Sequence, residues 1–577
     1  MPDASRGPEP CQLDVAIVGG GLAGLYAIWR LRGLGLRVRA YEAGSGVGGT
    51  WFWNRYPGAR CDVESLEYSY SFCNELQQEW QWPERYGTQS EILRYIDHVA
   101  ERFDLLRDVQ LNTRIVAALY DRDANRWTLR TDGGEEIRAR HCVMAAGNLS
   151  TPRVPDFKGL SRFKGKWYHS GLWPHEGVDF SGQRVGVIGT GSSGIQMIPI
   201  IARQAKHLTV FQRTANFSLP ARNAPMDAER ERAHKAEYPA RRRAAADTPF
   251  AIGGQPKPTK SARDVPEDER TAAYEAKWQE GGSISYLYAY TDLLVNKQSN
   301  DTASEFVRNK IRSIVKDPRT AELLAPKDHP IGTKRLCLDT GYYETFNRDN
   351  VTLVDVRSDP IAEITESGLA TAGGQTFELD AIAFATGFDA MTGALREIDV
   401  RTSDGADLSA HWDGGPLTYL GLMVSGFPNM FVVTGPGSPG VKTQMIASIE
   451  QHVDWIAECL AHMREKGIER IEPTAEAEAA CSTSTKWPTA RSIRWPTPGT
   501  WAPTFPASRA CSCPMWAAST ATSGTAIGWR PGATRASCSA RQRRRSADSS
   551  LGARHSSGAS CVEAEEDRAT GVARPQP

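Results

Sequence analysis

The residues of this chain whose types and spacing suit chemistry begin with two glycine-rich turns. The first reads Gly19-Gly20-Gly21-Leu22-Ala23-Gly24 and the second Gly189-Thr190-Gly191-Ser192-Ser193-Gly194. At this spacing Gly19 permits a tight turn, Gly21 lets a pyrophosphate approach the backbone, and Gly24 lets a helix pack close to its strand. The helix N-terminus that follows offers unpaired N–H groups and the positive end of its dipole to phosphate. The end of the next strand indicates which dinucleotide. The first such strand, RVRAYE, closes on Glu42, which accepts hydrogen bonds from a ribose 2′-OH and repels a 2′-phosphate. FAD or NAD fits there. The second, VFQRT, carries Arg213 and Thr214 instead, and a guanidinium pairs with the 2′-phosphate of NADP. Two sites with opposite ribose preferences imply FAD and NADPH, with hydride transfer between them.

Both turns have the elements needed to hold them. An apolar strand, Leu13–Val18, precedes the first turn and the helical stretch LYAIWRLRGLG follows it. RVGVIG and HLTVFQR flank the second, and a third apolar strand, AIAFATG, closes at Gly387. The fold expected is α/β, with two Rossmann-like dinucleotide-binding domains and a helical insertion where charged sequence such as SEFVRNKIRSIVKD appears. The expected layout is an FAD-binding domain over residues 1–150 and 384–480, and an NADP-binding domain over 151–215 and 331–383. The helical insertion covers 216–330, and a tail covers 481–577.

Lys+Arg and Asp+Glu both total 68, which gives no reason to expect nucleic acid or an anionic membrane as partner. No apolar run is long enough for a membrane span, and the polar N-terminal residues are unlike a secretory signal. The expected location is the cytoplasm. The cysteines before Ala480 are scattered singly, without metal-ligand spacing, and read as reduced.

Beyond the first turn, Gly48-Gly49-Thr50-Trp51-Phe52-Trp53 runs on to Arg60-Cys61-Asp62. By residue type, so many aromatics beside glycines suit a flat isoalloxazine ring or an aromatic core loop. The segment Phe163-Lys-Gly165-Lys-Trp-Tyr-His169-Ser-Gly-Leu-Trp173-Pro174-His175 then matches FxGxxxHxxxWP followed by Asp or His. With GGTWFWNRYPGARCDVES and GTKR, this resembles the Baeyer–Villiger class of flavin monooxygenases, from about Leu13 to Glu472. The resemblance implies that NADPH reduces FAD, O2 adds to it, and the peroxyflavin converts a ketone to an ester or lactone. Related enzymes that oxygenate sulfides or amines are the alternative, against which Trp173-Pro174 counts.

The same resemblance implies the roles of residues. Arg335, in Gly332-Thr333-Lys334-Arg335, is the cation beside the flavin, and Asp62 is its partner carboxylate. By type alone, Lys334 and Arg335 read as surface charge. Ala23, Thr50, Trp51, Phe52, Trp53, Arg60, Cys61, Asp62, Tyr68 and Met445 fall toward FAD, and Ile115 toward its adenine. Thr190, Gly191, Ser192, Ser193, Gly194, Ile195 and Gln196 fall toward NADP, with Lys334 beside Arg213 at the 2′-phosphate. His169 takes a conformational role between domains, and Gly435–Lys442 is a substrate-pocket loop.

The last 97 residues depart from the family. They hold one lysine, Lys486, yet five of the 16 tryptophans and five of the 11 cysteines. Disordered tails are normally poor in both of the latter. Reading the possible codons of Pro498–Pro506 two bases onward permits Trp-Tyr-Met-Gly-Ala-Asn-Ile-Pro, a segment with which the family continues. The expectation is a frame-shifted, disordered tail from about Cys481. The chain would then be a flavin binder that is uncoupled or inactive for want of its active-site cover.

Overall fold

The computed structural model describes residues 12–248, 250–438 and 443–484, together with the strand Trp516–Ser519, all within one compact unit, Met1–Gly528. A second unit, Trp529–Pro577, lies outside the described residues, as do Pro439 to Lys442 of the expected substrate-pocket loop and most of the tail.

The chain opens with β1 (Gln12–Val18), β2 (Val38–Tyr41), β3 (Val109–Gln110), β4 (Ile115–Asp121), β5 (Arg126–Thr131) and β6 (Glu136–Met144). It moves to a second sheet with β7 (Lys166–His169), β8 (Arg184–Ile188) and β9 (His207–Gln212). A short parallel pair, β10 (Ser218–Pro220) and β11 (Cys337–Asp339), brackets a helical stretch. β12 (Val351–Asp355), an antiparallel meander of β13 (Ile361–Thr365), β14 (Gly368–Thr371) and β15 (Thr376–Glu378), and β16 (Ala381–Phe384) follow. β17 (Asp399–Thr402) and β18 (Met430–Val432) return to the first sheet.

The first sheet runs β17-β4-β5-β6-β1-β2-β3, with β18 beside β6, and the second is an all-parallel β12-β9-β8-β16-β7. In each, the glycine-rich turn joins a strand to a helix that carries the chain to the neighbouring parallel strand. Val15 pairs with Val38 across Leu22–Arg32, and Val185 with Leu208 across Ser192–Gln204. That is the βαβ unit whose phosphate end lies at the strands' carboxyl edge. The strands β1, β8 and β16 are buried along most of their length and accordingly rich in Val, Ile and Ala, whereas β6 is buried on both faces only over His141–Met144. Trp127 and Trp412 fill the core of the first sheet, and Phe211, Ile382 and Phe384 that of the second.

Among the described residues, six helices occupy the stretch between β10 and β11, of which Glu267–Glu280 and Lys297–Ile314 are the longest. The two linkers between the sheets leave β6 and β16 and bond to each other. Arg153 N–H donates to the Gly387 carbonyl and Asp389 N–H to the Thr151 carbonyl, both at 2.9 Å. One element departs from expectation. Trp516–Ser519, in a stretch whose residue pattern shows no strand periodicity, pairs antiparallel with Arg470–Pro473. Four residues free of Gly and Pro are enough for a ladder but too few for an alternation to register.

Candidate active site

The carboxyl edge of the first sheet holds the first turn. Gly19 has φ +110°, and a Cβ there would stand 2.5 Å from the Ala145 carbonyl oxygen. A Cβ on Gly24 would stand 2.0 Å from the Gly19 carbonyl oxygen, so the helix can approach its strand only because that position is bare. Glu42 is 5 % exposed and braces the turn from beneath, with Oε2 accepting from Gly20 N–H at 2.7 Å and Oε1 from Gly44 N–H at 2.8 Å. An ionised carboxylate has lone pairs beyond those two bonds, so it can still accept from a ribose hydroxyl.

The second turn repeats the geometry. Thr190 Oγ1 donates to the Thr214 carbonyl at 2.9 Å and ties the turn to the end of β9. Neither helix start, Gly21 or Gly191, has a side-chain cap, so their first N–H groups remain available to phosphate. The middle glycines are informative for the opposite reason from Gly24. A Cβ on Gly191 would meet nothing within 4 Å, and one on Gly21 would meet only the backbone of Gly49. Internal packing does not explain the missing side chain at Gly191. Close approach of a dinucleotide does, and the residues present fit FAD at the first turn and NADP at the second.

Arg213 stands exposed just past β9. Lys334 is held below the ordinary lysine pKa by burial first, and the Arg213 charge acts in the same direction against the opposing pull of Asp328. Two cations near enough to feel each other, neither ion-paired among the described residues, are charges that suit a dianion.

Arg335 and Asp62 join distant parts of the chain. Arg335 Nη2 donates to Asp62 Oδ1 at 2.7 Å, and Nε donates to Oδ2 in the bidentate geometry of a guanidinium on a carboxylate. Nη1 reaches toward the Thr443 carbonyl at 3.4 Å. Burial works against the charge, but Asp62 outweighs it and holds the arginine above its ordinary value. The Arg335 side chain keeps 35 % exposure against 16 % for Asp62, so a fixed cation is presented with its anion behind it.

The structure distributes the other expected residues more unevenly. Trp51 Nε1 donates to Tyr68 Oη at 3.0 Å, and burial pushes the Tyr68 phenol up, so it remains a neutral hydrogen-bonding group. Phe52 packs against the loop at Gly44 and Gly46, where added Cβ atoms would lie 2.8 Å from its ring. Cys61 is buried with its thiol pushed up by that burial. Ile115 opens β4 in the core, Ala23 lies in the first turn of its helix, and Met445 begins the helix Met445–Lys466. Gln196 is engaged at both ends. Its Oε1 accepts from Tyr56 Oη at 2.8 Å, and its Nε2 donates to the Arg60 carbonyl at 3.0 Å, clasping the second turn's helix to the Asp62 loop.

His169 is fully buried at the end of β7. Its Nδ1 accepts from Gly171 N–H at 3.0 Å and its Nε2 lies 3.3 Å from Thr386 Oγ1, beside the bonded linkers. Burial keeps its pKa below the ordinary imidazole value. A second buried imidazole, His452, is not among the residues that the sequence singles out. Its Nδ1 accepts from Thr434 N–H at 3.0 Å, its Nε2 lies 3.1 Å from Ser438 Oγ, and burial drops its pKa to about 4. It thereby holds both ends of the loop that leads toward Thr443. The signal for it is Gln444, Ser448 and His452, polar residues four apart on a buried helix face.

Among the described residues no His, Cys, Asp and Glu group could hold a metal, and no helix is long and apolar enough to cross a membrane. The model of the flavin-binding monooxygenase-like family matches residues 12–223. A Baeyer-Villiger monooxygenase of Pseudooceanicola batsensis is 44 % identical over 81 % of this chain and 85 % of its own length. Among solved structures, an oxidized steroid monooxygenase bound to NADP is 53 % identical at a TM-score of 0.79, covering 82 % of this chain and 90 % of that one. The complex of OTEMO with FAD and NADP is 42 % identical, with a TM-score of 0.79 over 83 % and 90 % of the two chains.

Proposed function

The chain belongs to the Baeyer–Villiger flavin monooxygenases, and we propose that Arg335, braced by Asp62, is the fixed cation serving its oxygen insertion into ketones. It is an enzyme that uses FAD, NADPH and O2 to convert a ketone to an ester or lactone. One oxygen atom enters the product beside the carbonyl carbon and the other leaves as water, on two electrons from NADPH. Bound FAD supplies the redox chemistry that couples these.

The protein's part is positional and electrostatic. Glu42 and the bare Gly21 receive one dinucleotide; Gly191, Arg213 and Lys334 receive the other. Arg335 stabilises negative charge on the reacting oxygens, and it retains its proton doing so because Asp62 deepens an already high pKa. Its exposed face meets substrate while Nε and Nη2 stay committed to Asp62. His169, bonded beside the crossing linkers, and the Gln196–Tyr56 clasp set the relation of the two sheets.

The observation that carries this reading is the bidentate Arg335–Asp62 pair, reached from residues 273 apart. The test is the Arg335→Ala variant, purified with FAD and given NADPH and a panel of cyclic and linear ketones. Flavin reduction by NADPH should persist while ester formation falls by about 10²–10³-fold or more, the usual cost of removing a charge-stabilising donor. Ester formation at the wild-type rate in that variant would remove Arg335 from the mechanism.

A further inference from the structure

Glu67 and His234 face a cavity that none of the steps above uses. It measures ≈490 Å³ and lies between the Asp62–Glu67 loop, Arg85 and Tyr86, the helix Ala228–Ala236 and the turn Gly281–Ser285. Asp62 forms part of its wall, so it adjoins the Asp62–Arg335 pair. Most charges around it already have partners. Arg85 and Arg230 both bind Glu64, at 2.7 and 2.5 Å; Arg241 binds Glu237 at 3.0 Å, and Glu280 binds Lys277 at 2.7 Å.

Two buried atoms in its wall make no hydrogen bond. Glu67 is 5 % exposed and His234 7 %, and neither Glu67 Oε1 nor His234 Nε2 has a hydrogen-bond partner. They lie 3.4 Å apart, within ion-pair range but without hydrogen-bond geometry. Native interiors seldom leave even one such atom unsatisfied, and two adjoining ones beside a cavity point to a ligand group.

The chemistry of that group follows from the pair. With the imidazole proton on Nε2, a hydroxyl accepts from His234 Nε2–H and donates to Glu67 Oε1. A carboxylate would be placed against Glu67, and an ammonium against the nearby arginines. Burial works against charge on both partners, raising the Glu67 pKa and dropping that of His234 to about 3, which suits a neutral ligand group. We propose that this cavity is a specificity subsite for ketones carrying a hydroxyl remote from the carbonyl, held between Glu67 and His234. The proposal rests on the ketone-oxygenating reading of the neighbouring site.

Linear methyl ketones of increasing length, each assayed beside its ω-hydroxy counterpart, act as a ruler. In the FAD-loaded wild type, the hydroxy form should be favoured about tenfold in kcat/KM at one chain length, the worth of one net hydrogen bond. It should also raise the melting temperature more than its deoxy partner at that length. Glu67→Met and His234→Phe should erase the preference while leaving turnover of the deoxy ketones, and Glu67→Gln should retain much of it. If Glu67→Met loses its FAD, His234→Phe and Glu67→Gln carry the comparison. An unchanged ratio at every length in the wild type overturns the subsite, as does a preference that survives both apolar variants. Absence of turnover with any ketone would instead fall on the function proposed above.

Discussion

At the scale of single residues, the contrast between Glu42 and Arg213 is legible in the sequence alone, because it depends on one residue's charge at the end of one strand. Replacing Arg213 by Ala should raise the KM for NADPH by about tenfold, the loss of one charge-assisted contact, and narrow the preference over NADH. Steady-state kinetics with both nucleotides checks this. Lys334 adds a pH signature. Its pKa lies below the ordinary lysine value, so its positive charge is complete at low pH and disappears on alkalinisation earlier than for a free lysine. The KM for NADPH should therefore climb with pH from below pH 10.5, and the Lys334→Ala variant should flatten that climb. Arg335 is legible only through the family resemblance, since a Lys-Arg pair in sequence reads as surface charge. Its value lies in Asp62, and a partner that far away in the chain leaves no local trace.

At the scale of elements, the glycines of one motif separate into two physical classes. Gly24→Ala places a methyl 2.0 Å from a backbone oxygen and should prevent the helix Leu22–Arg32 from docking, seen as loss of soluble, FAD-bearing protein. Gly191→Ala meets nothing within 4 Å, so melting temperature should hold while NADPH binding weakens, measured by calorimetry on the same preparation. A spacing pattern treats both as equivalent; only the neighbours tell them apart. The βαβ units are readable because strand, turn and helix are contiguous. His452 shows only as one of three polar residues four apart, and its role is not readable, because its partners, Thr434 and Ser438, are backbone and hydroxyl groups of a loop with no periodicity. Its replacement by Ala should raise the KM for ketone more than it lowers the rate of flavin reduction, and speed hydrogen exchange at the Thr434 amide. Glutamine, which can accept and donate at similar positions, should restore most of both.

At the scale of the whole molecule, two parallel-bearing sheets are crossed twice by the chain, and the crossings are bonded to each other beside His169. From about Cys481 the out-of-frame origin rests on composition, although Trp516–Ser519 pairs with Arg470–Pro473. A tail out of frame with its gene predicts that the chain as written diverts part of its NADPH oxidation from ester to hydrogen peroxide. A frame-restored version should couple the same oxidation to ester, and tight coupling in the chain as written would contradict this. Asp62 and Arg335 lie in loops that the chain makes at different times. A fragment ending before residue 335 would contain the whole Gly19–Gly24 turn, Glu42 and Asp62, but lack the guanidinium that its carboxylate holds. During synthesis, then, nucleotide recognition can arise well before reactivity, and the reactive pair first exists when the later half of the polypeptide has closed onto the earlier one. Exchange of halves between relatives would be accepted only where the incoming arginine meets the resident aspartate in the same two-pronged geometry.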